Sequence, residues 1–198
     1  MPHAALWQQL AELDGQETAR RANCRYLPAA GQYVLTMLGT EYIVETAERN
    51  IYPLQAGASQ RAGFIEQLCL LAYLINAKEI HPAGRLAKPE SLPGGQFFFR
   101  GPHKLRTDKL EAVFGDDPAA LLTAARRFGA TPTEFGDTSV ELTVLPRLPL
   151  TIVLWRGDDE FGPRASVLFD RSAAQQLPLD ALWAAANLTI NKLLQAHR

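Results

Sequence analysis

Residues 145–170 read LPRLPLTIVLWRGDDEFGPRASVLFD, two apolar runs around a knot of charge. The first run, Leu150–Arg156, and the second, Ala165–Asp170, are rich in Val, Ile, Leu and Phe and have punctuated ends. That pattern predicts two buried strands. A short connection favours antiparallel pairing, so the strands form a hairpin joined by the loop 157–163. The loop contains Asp158, Asp159, Glu160 and Phe161, and Arg156 and Arg164 bracket it. A hairpin turn does not need three consecutive acids beside two aromatics, so this loop is the first place to look for function.

The elements on either side set the fold class. Ser139–Val144 is a third strand, close in sequence to the other two. Before it, Asp117 caps a helix with Pro118 at its first position and Gly129 just past its end, the proline-first and glycine-last order expected of a helix. Thr107–Phe114 is a shorter helix. Gln96–Arg100, with three phenylalanines in a row, reads as a strand, and Ile80–Gly95 as a long loop of the kind that often serves function. Ser59 opens a helix to about Ala77 whose stripe Phe64, Leu68, Leu71 and Ile75 belongs in the core. Gln32–Leu38 and Glu41–Thr46 form a hairpin around Gly39-Thr40. A first helix carries Leu6, Trp7, Leu10 and Leu13 and continues to about Asn23, and a last one, entered at Pro178, turns Leu182, Trp183 and Ile190 to one face. Strands come in pairs and triplets rather than alternating with helices. The expectation is therefore an α+β single domain over residues 1–198, with a largely antiparallel sheet and helices packed on one face.

Composition narrows the functional classes. The chain has 198 residues, 47% hydrophobic and 21% charged, with a net charge of −1. That balance supplies no long-range field for nucleic acid or an anionic membrane, so neither is an expected partner. Arg20, Arg21 and Arg25 read as a solvated helix end. The N-terminus lacks the basic start and apolar core of a signal peptide. The longest apolar run, Leu68–Ile75, is under half of the roughly 20 residues that span a bilayer. Cys24 and Cys69, the two cysteines, are not a CxxC pair and read as reduced thiols, which together points to a soluble, cytoplasmic protein. P-loop, dinucleotide-binding, zincin and nucleophile-elbow motifs are all missing.

Two segments carry candidate chemistry. In the acidic loop, Asp158 and Glu160 (or Asp159) could bind a cation, or one of them could act as a general base while Arg156 or Arg164 stabilises negative charge; Trp155 and Phe161 would give aromatic walls. The plain alternative is a solvated turn whose acids pair with backbone donors and the arginines. In the second segment, Arg100, His103 and Lys104 could hold an anion, with backbone N–H groups from Gly94-Gly95, and His103 could shuttle a proton; the alternative is a polar turn after a strand. The ligand-binding candidates are Arg100, His103, Trp155, Arg156, Asp158, Glu160 and Phe161, facing one shared cleft. No metal site is expected, and no catalytic residue or cofactor can be named.

The sequence also resembles a known family. Leu145-Pro146-Arg147-Leu148-Pro149-Leu150, then Trp155-Arg156-Gly157-Asp158-Asp159-Glu160-Phe161, then Leu168-Phe169-Asp170 match the pattern of DUF3786, a bacterial and archaeal family grouped as a domain of unknown function. Weaker matches are Tyr33 with Leu38-Gly39, Leu71-x-Tyr73-Leu74, Leu92-Pro93-Gly94-Gly95 and Phe114-Gly115. The resemblance implies a stand-alone domain, not an activity. Some relatives carry a Cys-rich iron–sulfur module like that of corrinoid proteins in one-carbon metabolism; this chain has none, so the resemblance places any redox or corrinoid link in a partner. Where the family reads proline directly after the loop phenylalanine, this chain has Gly162-Pro163. Three functional expectations follow: a domain binding a small molecule or cofactor in an accessory role, a hydrolase or lyase using an Asp/Glu–His pair, or a module docking a partner protein through loop 157–163.

Overall fold

A computed structural model describes residues 3–197. The N-terminal half opens with two short helices, α1 (Ala4–Ala11) and α2 (Gly15–Ala22), where the sequence suggested one. Asp14 makes the break: its carboxylate accepts from the Glu17 N–H at 2.8 Å and so starts a new helix. Gly15 is required there, because any side chain at that position would run into the Tyr26 ring. The basic cluster at the end of α2 is a helix end, with Arg20 paired to Glu17 and Glu79 and Arg25 paired to Glu41.

Four strands follow as an antiparallel meander: β1 (Arg25–Leu27), β2 (Gln32–Met37), β3 (Thr40–Glu45) and β4 (Asn50–Pro53). The β2–β3 turn is Leu38-Gly39, with φ of 48° and 74°. Both central residues of a two-residue hairpin turn adopt positive φ when its twist matches the strands. Leu38 is not glycine, and its placement is stabilised by burial and by its N–H, which donates to the Val144 carbonyl at 3.1 Å. That bond joins this sheet to the second one.

The second sheet has the order β5-β9-β8-β7-β6 and is antiparallel throughout. Its strands are β5 (Leu86–Ala87), β6 (Thr131–Thr133), β7 (Thr138–Leu145), β8 (Leu148–Trp155) and β9 (Arg164–Asp170). The hairpin expected from residues 150–170 is β8–β9, paired from Leu150↔Phe169 to Trp155↔Arg164. The protein is thus α+β, with two antiparallel sheets rather than one. Val140, Leu142, Val144, Leu150, Ile152, Val167 and Phe169 lie buried on the inner face of this sheet. They pack against the helices α5 (Thr107–Phe114) and α6 (Pro118–Arg126), which pack in turn on α8 (Leu179–His197) and through it on α3 (Phe64–Asn76), while Glu141 and Thr143 on the outer face are exposed. One cluster of buried residues runs from Trp7 to Leu193.

Two further sequence expectations are corrected. Gln96–Arg100 is not a strand: α4 (Gly95–Phe98) is a single helical turn. Gly94, at φ 75°, enters it, and Gly95 lies so close to the Pro89 carbonyl that no Cβ fits. A helical turn points successive side chains in different directions, so Phe99 is buried while Phe97 is 77% exposed. In α3 the buried face is Cys69, Leu70, Leu71, Tyr73 and Leu74; Leu68 is half-buried, and Phe64, the first helical residue, is 59% exposed. Phe64 packs against the His3 ring instead, 4.3 Å between centroids. Cys24 and Cys69 are unbonded, and burial pushes both thiols up to about 12. Among the described residues no helix is long and apolar enough to cross a membrane.

Tyr73 ties the layers together. Its hydroxyl donates to the Ala22 carbonyl at 3.1 Å and accepts from the Arg147 N–H at 3.0 Å, both bonds buried. Arg147 sits in the two-residue β7–β8 turn, and its Nε donates to the Arg21 carbonyl at 3.0 Å. Burial raises the Tyr73 phenol well above its ordinary pKa, so it stays a donor. Tyr73→Phe removes the hydroxyl and leaves both backbone groups unpaired. Urea melts should show a loss of about 1–3 kcal/mol. In the same melts Leu71→Ala should cost about 2–5 kcal/mol through its cavity, and Phe64→Ala less than about 1 kcal/mol.

Candidate functional site

The acidic loop is built by its own backbone. The Asp158 N–H donates to the Phe161 carbonyl at 2.8 Å, closing a four-residue turn. One Asp158 carboxylate oxygen accepts from the N–H groups of Glu160 and Phe161, at 2.9 and 2.7 Å. Those two bonds hold the Asp158 carboxyl below its ordinary value, so it is ionised at neutral pH. The turn fixes where Phe161 stands. On the far side of the turn, Gly162 has open space around it, whereas Pro163 packs onto Gly115 at the end of α5, where a Cβ would meet the proline ring at 2.5 Å. The extra glycine before the proline therefore sits in the free part of the loop, and the proline is its anchor.

Two further carboxylates brace the strand ends. Asp137 accepts from the Arg156 N–H at 2.8 Å, and Glu111 of α5 accepts from the Ala165 N–H at 2.9 Å. Each uses one oxygen in that bond. The Arg164 guanidinium lies over the Trp155 ring, 4.9 Å from its centroid, a cation–π contact. Among the described residues neither Arg156 nor Arg164 forms an ion pair.

These residues enclose an open cleft of about 620 Å³. Four of the seven residues expected from the sequence line it: Trp155, Arg156, Asp158 and Phe161. Glu160 is exposed and is not part of the lining. Arg100 and His103 are not brought to it either. Arg100 is exposed; His103 stacks on Phe98 at 4.4 Å, with its edge toward Trp183. The reason is local: residues 95–103 form short helical turns that set the His103 ring against Phe98 and Trp183 of α8 and leave Arg100 in solvent. Glu111, Asp137 and Arg164 line the cleft as well. Arg164 was visible as part of the charged knot. Glu111 and Asp137 come from other elements, and no spacing in the sequence links them to the loop.

The arrangement combines fixed acceptors, unpaired arginines and aromatic surface. No histidine lines it. Among the described residues no three His, Cys, Asp or Glu side chains come together as a set that could hold a metal ion. Outside the cleft, Asp170 at the end of β9 braces the backbone. Its oxygens accept from the N–H groups of Ala83, Arg85 and Ser172 and from the Ser172 hydroxyl, and these bonds hold its carboxyl below the ordinary value despite burial. They pin the segment before β5 to the end of β9.

The lowered Asp158 pKa fixes the sign of a pH effect. A depressed carboxylate stabilises its turn when ionised, and that stabilisation is lost as pH falls through the folded value, below 3.8. Amide protection in residues 157–163, relative to the intrinsic exchange rate at each pH, should therefore fall in that acid range. Asp158→Ala should give the same loss of protection at neutral pH without moving the melting temperature. Asp158→Asn, whose side-chain oxygen still accepts, should restore much of the protection. Unchanged exchange in Asp158→Ala would mean that the turn does not depend on this carboxylate.

No curated protein and no solved structure matches the chain. The family pattern matches residues 14–192, which includes every residue lining the cleft. On that match the chain belongs to the family described as a domain of unknown function, DUF3786.

Proposed function

We propose that the protein binds a small planar heteroaromatic molecule with ring N–H donors and an anionic group in the cleft of the acidic loop. The observation that carries this reading is the lining: Trp155 and Phe161 offer ring surface, Arg156 and Arg164 are unpaired cations, and Glu111, Asp137 and Asp158 are acceptors held in place by backbone N–H groups. Ring surface favours a flat ligand. Guanidinium groups favour an anion held bidentately. Each carboxylate keeps an oxygen outside its backbone bond, which suits N–H donors on the ligand. A cleft of about 620 Å³ falls within the range of small-molecule sites. A role as an accessory binding protein fits this lining better than hydrolysis or elimination, since no Asp/Glu–His pair stands in it.

A second reading rests on Phe161, which is 69% exposed at the loop tip and could dock a partner protein. One experiment separates the two. Native mass spectrometry of the purified protein should show a retained small molecule, and GMP, FMN or folate should quench Trp155 fluorescence saturably. The signal should vanish in Trp155→Phe. Arg156→Ala combined with Arg164→Ala should weaken binding at least about tenfold, or about 1.4 kcal/mol. No retained molecule and no saturable quenching by any probe would overturn the small-molecule reading. A stable protein complex lost in Phe161→Ala would favour the second.

A further inference from the structure

Strand β9 is paired along its whole length on one side only. β8 covers it from Arg164 to Phe169, whereas on the other edge β5 reaches only Phe169 and Asp170. The ladder stops for a covalent reason. Continuing the register that pairs Leu86 with Asp170 and Ala87 with Phe169 puts Pro89 opposite Val167. Proline has no N–H to give a ladder. The chain turns away there into the short helical turn Pro89–Ser91, and the Pro89 carbonyl accepts from the Leu92 N–H at 3.2 Å.

The groups left at this edge can be assigned by parity. The Ala165 N–H points away from β8, to Glu111, and the Arg171 N–H points the same way, to the Arg85 carbonyl at 2.9 Å. Alternate residues of a strand direct their backbone groups to the same side. Val167 therefore presents its N–H and C=O to the open edge. Val167 is 3% exposed, and neither group has a hydrogen-bond partner among the described residues. Buried backbone groups without a partner are rare, because each carries a free-energy cost that a bound donor or acceptor removes.

A cavity of about 320 Å³ fills the gap where β5 stops. Ala165 and Val167 form one wall, buried Phe99 and Leu105 add apolar surface, and Lys88 and Lys104 line it too. Neither lysine has an ion-pair partner among the described residues. Glu90 lies on the same lining. The cavity also has a direction. Lys88 follows Ala87 and so stands at the Phe169 end, while the Glu111 carboxylate closes the Ala165 end. This site is separate from the acidic-loop cleft, and the Glu111–Ala165 bond stands between them.

We propose that the open edge of β9 captures the C-terminal residues of a partner peptide, which add to the sheet as a short strand parallel to β9. The peptide backbone bonds to the Val167 N–H and C=O. Its terminal carboxylate sits at the Phe169 end beside Lys88, away from Glu111, and this fixes the parallel sense. Adding a strand to a free edge is an established mode of peptide recognition: backbone bonds supply affinity and pockets supply selectivity. From Ala165 to Leu168, short of the Ala87–Phe169 pair, the edge is about 10 Å long at about 3.3 Å per residue, room for about three residues.

The test uses the full chain with a mixed-sequence pool of fluorescein-labelled tetrapeptides in three forms: free acid, C-terminal amide, and N-methylated at the third residue. Fluorescence polarisation should show saturable binding of the free acids and at least tenfold weaker binding of the other two. Lys88→Ala with Lys104→Ala, both exposed positions, should weaken the free acids by a similar factor and leave the melting temperature unchanged. The Val167 amide should shift and gain at least tenfold protection from exchange when the peptides are added. Four results would overturn the proposal. These are equal binding of the amides, no saturable binding up to about 1 mM, a Val167 amide already protected in the protein alone, or the same Val167 response to inorganic phosphate, which would make the cavity a plain anion pocket.

Discussion

One buried hydroxyl holds the layers of this protein in register. Tyr73, in the middle of α3, bridges the end of α2 and the β7–β8 turn. Without it, the Ala22 carbonyl and the Arg147 N–H would face the core with no partner, and each such group costs more than the bond itself gives. The turn it fixes is the one from which β8 and then the acidic loop extend. The position of the loop thus depends on a contact at the opposite end of β8. Glu66 serves a similar purpose on the outer side of α3, where it accepts from the Gly63 N–H and the Tyr42 hydroxyl and pairs with Lys192 of α8 at 2.6 Å.

Strand β9 organises the functional surface. Its first residue, Arg164, lies over Trp155 in the cleft; its middle, Val167, faces the uncovered edge; its last, Asp170, clamps the segment before β5. Three different uses of one strand follow from three neighbours of different length. β8 matches it fully, β5 stops after two residues, and α5 supplies one carboxylate between them. Rigid neighbours on each side keep the two cavities apart and give each a fixed shape.

The sequence was most legible where a local signal was strong and the structure obeyed it. The β8–β9 hairpin follows from two apolar runs around a short polar loop, and α6 from the Pro118 and Gly129 punctuation. Trp155, Arg156, Asp158 and Phe161 share a cleft because they share a loop. What stayed hidden depends on distance along the chain. β1, β4 and β6 are strands of three or four residues with polar or proline positions and no alternation to reveal them, so the division into two sheets was not visible. Three adjacent phenylalanines look like a strand, but Gly94 and Gly95 bend them into a helical turn, and Arg100 and His103 are carried away with it. Glu111 and Asp137 reach the cleft through tertiary packing alone, and the edge at Val167 becomes apparent only once Pro89 is known to stand opposite it.

The strand ends also bear on self-association. An uncovered sheet edge is a template on which copies of a chain can polymerise. Here the outermost strands are poor templates: β4 and β6 contain Pro53 and Pro132, and β1 and β5 are three and two residues long. The one internal gap, at Val167, is a recess rather than a ridge, walled by Pro89, Phe99 and Leu105 and flanked by two lysines. A flat sheet from a second molecule cannot reach into it, whereas a single free chain end can. The same geometry that leaves backbone groups unpaired thus admits a thin guest while keeping the protein from stacking on itself.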